Sequence, residues 1–547
     1  TQVFASADRV LDLLDEEPVT ADVTDGADTA FAGAEAQNGV SRRPNILFCI
    51  ADDAAWLHFG AYGCGWVSTP VFDSVAARGI LFENCYTPNA KSAPSRASLL
   101  TGRYSWQLGE AGNHICHFPE DIKVFTEALE EAGYDVAFTG KGWAPGNPGM
   151  KDGRKRQLTG EAWQSRKLTP PTPEILATDY AANFSDFLSS REDASRPWFF
   201  WFGCREPHRR YEYGSGAAKG GRTTAEIDRV PAFWPDNETV RNDMLDYGFE
   251  LEHYDRQLGL MLARLEELGE LDNTLVIVTS DNGMPFPRAK GTQYEYAHHM
   301  PLAMMWPQGV NSPGRRETVY VSFVDIAPTI LEIAGTDPSA AGMAPLPGGS
   351  LVPLLRNEPD PCAALRERAL LGRERHDNGR PGDQGYPIRG IVRGGWLYLC
   401  NLKPWLLPGG NPETGYRDID SSPTKTAILQ LKRSGQDNRY YELSMGQRPA
   451  EELYHIETDR ECLANRIGEI SCRILADSLR AELFRTLREQ GDPRMTGDGD
   501  LFDRYPYDKP GKDRIYERTV SGEIVPWEQS NWVLPTDYEQ YETVKNK

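Results

Sequence analysis

A chain of 547 residues is longer than one hydrophobic core ordinarily grows, so its length calls for two domains of unequal size. With 39% hydrophobic residues it can bury a substantial core, which excludes a wholly disordered chain. The net charge of −21, from 59 Lys and Arg against 80 Asp and Glu, excludes general nucleic-acid binding, which needs a basic footprint. No run approaches the roughly 20 apolar residues of a membrane span. Residues 1–43 read as an acidic, loosely ordered extension with one short amphipathic piece, Ala7–Leu14. Asn45–Ala51 is a continuous apolar run, the pattern of a strand buried on both faces of a parallel sheet. Pro70 opens a helix that Gly79 closes, and Ile80–Phe82 is a second strand. The alternation continues with helices over 124–131, 173–190 and 240–268, and strands over 135–139, 198–202 and 275–279. Pro301–Trp306 and the helical Val324–Ala334 extend it, giving an α/β domain over 44–380 with a large, mostly parallel mixed sheet flanked by helices. From about Asp337 the texture becomes rich in Pro and Gly. The strands Ile388–Val392 and Trp396–Leu399 are joined by Gly394-Gly395 as in a hairpin, and a helix follows over 474–490. These make a smaller C-terminal α+β domain with an antiparallel sheet over 381–495, and 496–547 reads as an aromatic tail that wraps the body.

Nine scattered cysteines show no zinc-type spacing, so they read mostly as buried thiols with room for one disulfide. Two strands end in acidic clusters, Asp52-Asp53 and Ser280-Asp281-Asn282-Gly283. In an open α/β sheet ligands gather at the carboxyl ends of strands, and carboxylates converging there repel unless a cation sits among them. All-oxygen donors suit Ca²⁺, and Mg²⁺ less well. A carboxylate at a strand exit also serves as a cap or turn former, and that plainer role competes for each cluster taken singly.

The segment around which these features gather is Ser92-Ala-Pro-Ser-Arg-Ala-Ser-Leu-Leu-Thr-Gly-Arg103, a hydroxyl residue just ahead of a short helix. Backbone N–H groups and the helix dipole favour negative charge at such a point. The segment resembles the signature of the type I sulfatases of the alkaline-phosphatase-like superfamily. That signature is Cys or Ser, any residue, Pro, Ser, Arg, then Thr-Gly after four more. The resemblance implies that Ser92 is oxidised by a maturase to formylglycine, that Arg96 holds it, and that Asp52, Asp53, Asp281, Asn282 and residue 92 bind the metal. Lys141 in Thr139-Gly-Lys-Gly-Trp143 matches the family's Gly-Lys-Trp-His position with Trp143 in place of His, a hydrogen bond that His114 or His117 would then have to supply. His208 in Glu206-Pro-His matches a Pro-His motif, and Lys290 is the sulfate-binding candidate with Arg288 as its alternative. His299 stands where Arg is common and counts with Arg288, Arg209 and Arg210 among the substrate-binding candidates, with a hydrogen-bonded support as the plainer role for His298 or His299.

The resemblance, closest to the heparan N-sulfatase branch and bacterial polysaccharide sulfatases, implies hydrolysis of a sulfate ester or N-sulfate of a sulfated oligo- or polysaccharide, in the periplasm or outside the cell. An acidic chain must hold an acidic glycan through local cations, and Arg205, Arg209, Arg210 and Tyr211 form an unusually basic loop for that purpose. Two alternatives stand beside this reading: a phosphate or phosphonate monoester hydrolase of the same superfamily, and a glycan-binding protein in which Ser92, native or replacing Cys, is not converted.

Overall fold

The computed structural model describes residues 42–538, so the acidic extension with Ala7–Leu14 lies outside the described residues, apart from its last two positions. In chain order the main elements are β1 (Asn45–Ala51), α1 (Pro70–Arg78), β2 (Ile80–Tyr86), α2 (Ser92–Thr101), α3 (Phe125–Glu131), β3 (Asp135–Gly140), β4 (Glu161–Ala162), α4 (Tyr180–Ser190) and β5 (Trp198–Gly203). They continue with α5 (Glu238–Glu267), β6 (Thr274–Ser280), β7 (His299–Met300), β8 (Leu302–Met305), β9 (Arg315–Ser322) and α6 (Ile326–Ile333). The C-terminal part adds β10 (Arg368–Arg373), β11 (Ile388–Arg393), β12 (Trp396–Asn401), α7 (Pro423–Arg433), β13 (Glu451–His455) and α8 (Arg473–Glu489).

Nine strands form the large sheet. Its path runs β2, β8, β6, β1, β5, β3, β4, with β9 parallel to β2 and the short β7 pairing with Tyr86 and Cys85 of β2. β1 is parallel to β6 and β5, and β5 to β3, whereas β8 runs antiparallel to both β6 and β2. The sheet is therefore mixed and mostly parallel, as its apolar runs predict. The side-chain alternation of β1 divides two cores. Leu47, Cys49 and Ala51 face α1, α4, α5 and α7, while Ile46, Phe48 and Ile50 face α2, α3 and α6. Burial on both sides explains why β1 and β5 carry hardly a polar residue and why β6 is apolar over Leu275–Val278 between hydroxyl residues at its ends.

The smaller sheet is antiparallel in the order β10, β11, β12, β13, and α8 covers one face through Ala476, Leu479, Leu483 and Leu487. Its first strand precedes residue 381, so the sheet draws on both sides of the expected boundary. Another excursion of the C-terminal part, with Tyr416, Ile419, Ile428 and Leu429, packs into the first core beside α5. Among the described residues of the last segment, Asp537 is buried and pairs with Lys425 at 3.2 Å. Two expectations need correction. The helix foreseen over 173–190 begins only at Tyr180, capped by the Asp179 carboxylate, which accepts the Ala182 N–H. All nine cysteines are free thiols, so the disulfide allowed for above is not formed. Among the described residues no helix is long and apolar enough to cross a membrane.

Candidate active site

Four neighbouring strands deliver the candidate residues to one end of the large sheet. Ala51 and Ser280 end β1 and β6 in register, so Asp52-Asp53 and Asp281-Asn282 leave the sheet side by side. Gly140 and Gly203 end β3 and β5 in register, which brings Lys141 against the loop that carries His208. The approach is close because a Cβ on Gly203 would lie 1.8 Å from the Lys141 carbonyl oxygen.

α2 begins at Ser92 itself, with Lys91 as the residue before it, rather than near Pro94. Ser95 Oγ accepts from Thr87 Oγ1 at 2.8 Å and donates to the Asp281 carbonyl, tying the helix start to the end of β6. Arg96, one turn in and fully buried, directs Nε to Asp281 at 2.8 Å and Nη2 to Asp52 at 3.3 Å, while Nη1 donates to the Lys141 and Gly142 carbonyls. Leu99 and Leu100 anchor the helix in the core, and Gly102 ends it at φ 66°. Trp143 donates Nε1 to the Ala93 carbonyl at 3.0 Å, so it braces the turn beside Ser92 in place of a histidine.

The Ser92 hydroxyl is thereby fixed from two sides. It donates to Asp52 Oδ1 at 3.2 Å and accepts from Lys141 Nζ at 2.9 Å, and that ammonium also reaches both Asp52 oxygens at 2.6 and 2.8 Å. Lys290 Nζ bridges Asp53 at 2.7 Å and Asp420 at 2.8 Å. His208 donates Nδ1–H to the Arg209 carbonyl at 2.7 Å, since a carbonyl only accepts, and this leaves Nε2 facing Asp53 at 3.8 Å.

Asp52, Asp53 and Asp281 each place a carboxylate oxygen within 4.8 Å of the others, with all three fully buried. Burial pushes the Asp52 carboxyl up, but Lys141, His208 and Arg96 hold it well below the usual range. Burial wins at Asp53 and Asp281, which stay raised despite Lys290 and Arg96. Each of the three carboxylates has a cationic partner, Arg96, Lys141 or Lys290, yet burial still disfavours the charged forms of Asp53 and Asp281. Asn282 donates Nδ2 to Asp53 at 2.8 Å, and its buried Oδ1 has no hydrogen-bond partner. An orphaned acceptor beside three carboxylates is a donor set that fits a hard divalent cation. Burial lowers the Lys141 ammonium to about 8 and, with Lys290 adding, His208 to about 3.

Three residues that the sequence places among the substrate contacts have other duties. Arg209 points inward, forms a two-pronged pair with Asp243 at 2.7 and 2.8 Å, and stacks on Tyr211 and Phe286. Arg288 lies over Tyr294 and gives its guanidinium to the Leu443 and Cys462 carbonyls, so it ties the two parts of the chain together. His299 is stacked between Trp56 and Tyr86 and bonded to Glu295 and the Glu83 carbonyl. All three side chains are held by partners within the fold; Arg209 borders the cavity, yet its charge is paired with Asp243. His117 pairs with Asp508 and Glu110.

A cavity of about 290 Å³ opens over Ser92, Lys141, His208 and Lys290. His114 lines it with Nδ1 free of any partner, and so do Lys91, Asp377, Asp420, Lys509 and Trp532, none of which the motifs reveal. Lys91 alone carries a signal, its position next to Ser92.

Comparison with known proteins points one way. The family model described as Sulfatase matches residues 44–336. Human N-sulphoglucosamine sulphohydrolase is 28% identical over 485 residues, covering 83% of this chain and 91% of its own. The N-acetylglucosamine-6-O-sulfatase of Bacteroides thetaiotaomicron is 26% identical over 67% of this chain and 80% of its own. A structure solved with its substrate D-glucosamine-2-N,6-O-disulfate superposes with TM-score 0.57 at 21% identity, over 82% of this chain and 98% of that one. The phosphonate monoester hydrolase of Agrobacterium radiobacter superposes at 0.56 and 19% identity, over 82% and 96%. At such identities these two likenesses establish the alkaline-phosphatase-like fold alone.

Proposed function

The chain belongs to the sulfatase family, and from that premise we propose that it removes sulfate from a sulfated glycan, as an ester or N-sulfate, with residue 92 as the nucleophile. The observation that carries the reading is the Ser92 hydroxyl, held between Lys141 at 2.9 Å and Asp52 at 3.2 Å on the floor of the cavity. Asp52, Asp53, Asp281 and Asn282 are the residues that would hold a divalent metal, Ca²⁺ before Mg²⁺. When bound, such an ion supplies charge against the negative charge that develops on sulfuryl oxygens. Oxidation of Ser92 to formylglycine by a maturase supplies a hydrated aldehyde, whose second hydroxyl provides the route for expelling sulfate.

The chain's own residues do the rest. Arg96 fixes the start of α2 against both acidic strand ends, so residue 92 cannot swing away. Lys141 and Lys290 flank the place where a sulfuryl group meets residue 92 and stabilise its oxygens through charge-assisted hydrogen bonds. His208, its Nδ1 tied to the Arg209 carbonyl, exchanges a proton at Nε2 with the leaving oxygen or nitrogen. An entering sulfate group adds negative charge beside that ring and favours its protonated form.

Sulfate release from singly sulfated glucosamines, measured beside release of phosphate from a phosphate monoester, tests the proposal. Turnover of the sulfated sugar that Ser92→Ala abolishes is the expected result. Preference for the phosphate ester would replace the reading with that of a phosphate or phosphonate monoester hydrolase.

A further inference from the structure

We propose that the mouth of the cavity is a second anion subsite, formed by Arg210, Lys509 and Trp532, which selects glycan units bearing a second acidic group beside the sulfate to be cleaved. The inference rests on the reading above for the position of the first sulfate and deepens it.

The cations around the cavity divide into those already paired and those that are not. On the floor, Lys141 is paired with Asp52, Lys290 with Asp53 and Asp420, and Lys91 with Asp377 at 3.2 Å. Arg209 is paired with Asp243. Asp377 and Asp420, the two carboxylates that line the cavity, are therefore both engaged. At the mouth the pattern reverses. Arg210 is exposed and gives one N–H to the Asn531 carbonyl at 2.5 Å, with no carboxylate partner among the described residues. Lys509 has its ammonium 4.6 Å from the centre of the Trp532 ring and likewise no carboxylate within ion-pair distance among the described residues. The Trp532 indole Nε1 is buried without a hydrogen-bond partner. Two cations on one rim thus lack a carboxylate partner among the described residues, in a chain of net charge −21 that has acidic side chains to spare.

The rim is also built to keep its shape. The Trp532 carbonyl accepts from both the Ser421 N–H at 3.1 Å and the Ser421 hydroxyl at 2.6 Å, and Arg210 clasps the residue before it. Cation–π contact with the indole positions the Lys509 ammonium. A cavity of about 290 Å³ is at the small end of ligand pockets and suits one substituted sugar, so the second anion belongs to that unit or the one joined to it. The shared chemistry is an oxyanion, either sulfate or carboxylate.

Calorimetric binding to the full chain decides the matter without needing turnover. The probes are glucosamine 6-sulfate, glucosamine 2-N,6-O-disulfate, and the 6-sulfate joined to a uronic acid. Loss of a hydrogen bond to a charged group is worth about tenfold or more in affinity. At least one doubly acidic probe should therefore bind about tenfold tighter than the singly sulfated one, and which probe does so separates sulfate from carboxylate. The double variant Arg210→Met, Lys509→Met should bring that ratio near one, and Trp532→Phe, which shrinks the ring that positions the Lys509 ammonium, should lower it partway. Equal affinity for all three probes in the unaltered chain, or a ratio that survives the double variant, overturns the subsite. Should none of the probes release sulfate, the proposed function fails while the affinity ratio still judges the subsite.

Discussion

At the scale of single residues, motif and neighbourhood give different kinds of information. Asp52, Asp53, Asp281 and Asn282 are legible because each follows an apolar run that can only be a buried strand, and strand ends converge. Arg209, Arg288 and His299 are not, because their partners lie far away in the chain: Asp243 on α5, the Leu443 and Cys462 carbonyls, and the rings of Trp56 and Tyr86. Nothing in the basic run from Arg205 to Tyr211 distinguishes an arginine turned inward from one turned out. The two neighbours now separate experimentally. Removing one partner of a buried ion pair costs about 3–5 kcal/mol, so Arg209→Ala should lower unfolding stability by that order. Arg210→Ala should stay within about 0.5 kcal/mol, as exposed substitutions do, and act on ligand binding instead. Denaturant unfolding of both variants checks the contrast, and equal stability losses would contradict the assignment.

Among the elements, β1, β5 and β6 are legible almost to the residue, because burial on both faces demands unbroken apolar runs. The long helix α5 is legible by period, but one of its buried acids has a role that sequence conceals. Asp255 accepts the N–H groups of Val71 and Phe72 in the first turn of α1, at 3.0 and 2.8 Å. Burial lifts its carboxyl to about 7 in spite of those two bonds. Its folded value thus exceeds its unfolded one, so between about pH 4 and about pH 7 the folded chain binds more protons and this group's contribution to stability falls as pH rises. Asp255→Asn removes that proton uptake, and its Tm should decline less across the same window than that of the unaltered chain. Parallel declines would show that Asp255 does not titrate there. The start of α4 at Tyr180 is hidden in the sequence because the proline-rich stretch before it gives its N–H groups to side chains, Glu174 and Ile175 to the Thr172 hydroxyl and Leu176 to Glu206, with Asp179 as the cap.

At the scale of the whole molecule, the matched family region, residues 44–336, supplies the floor of the cavity, while Asp377, Asp420, Lys509 and Trp532 come from beyond it. The residues of that floor are therefore legible in local motifs. The remaining walls are loops brought in by the smaller sheet and the tail, and no spacing rule predicts where they land. The excess of acidic residues makes the same point, since a net −21 conceals a cavity whose mouth carries unpaired cations. Everything in the functional account turns on residue 92 being an aldehyde rather than an alcohol. The direct measurement is the mass of the peptide containing Ser92, taken from protein made with and without a maturase, alongside sulfate release by the same two samples. The account predicts a peptide two hydrogens lighter in the sample that releases sulfate, and no release from the sample in which Ser92 is unchanged. Equal release from protein whose Ser92 is wholly unmodified would contradict it.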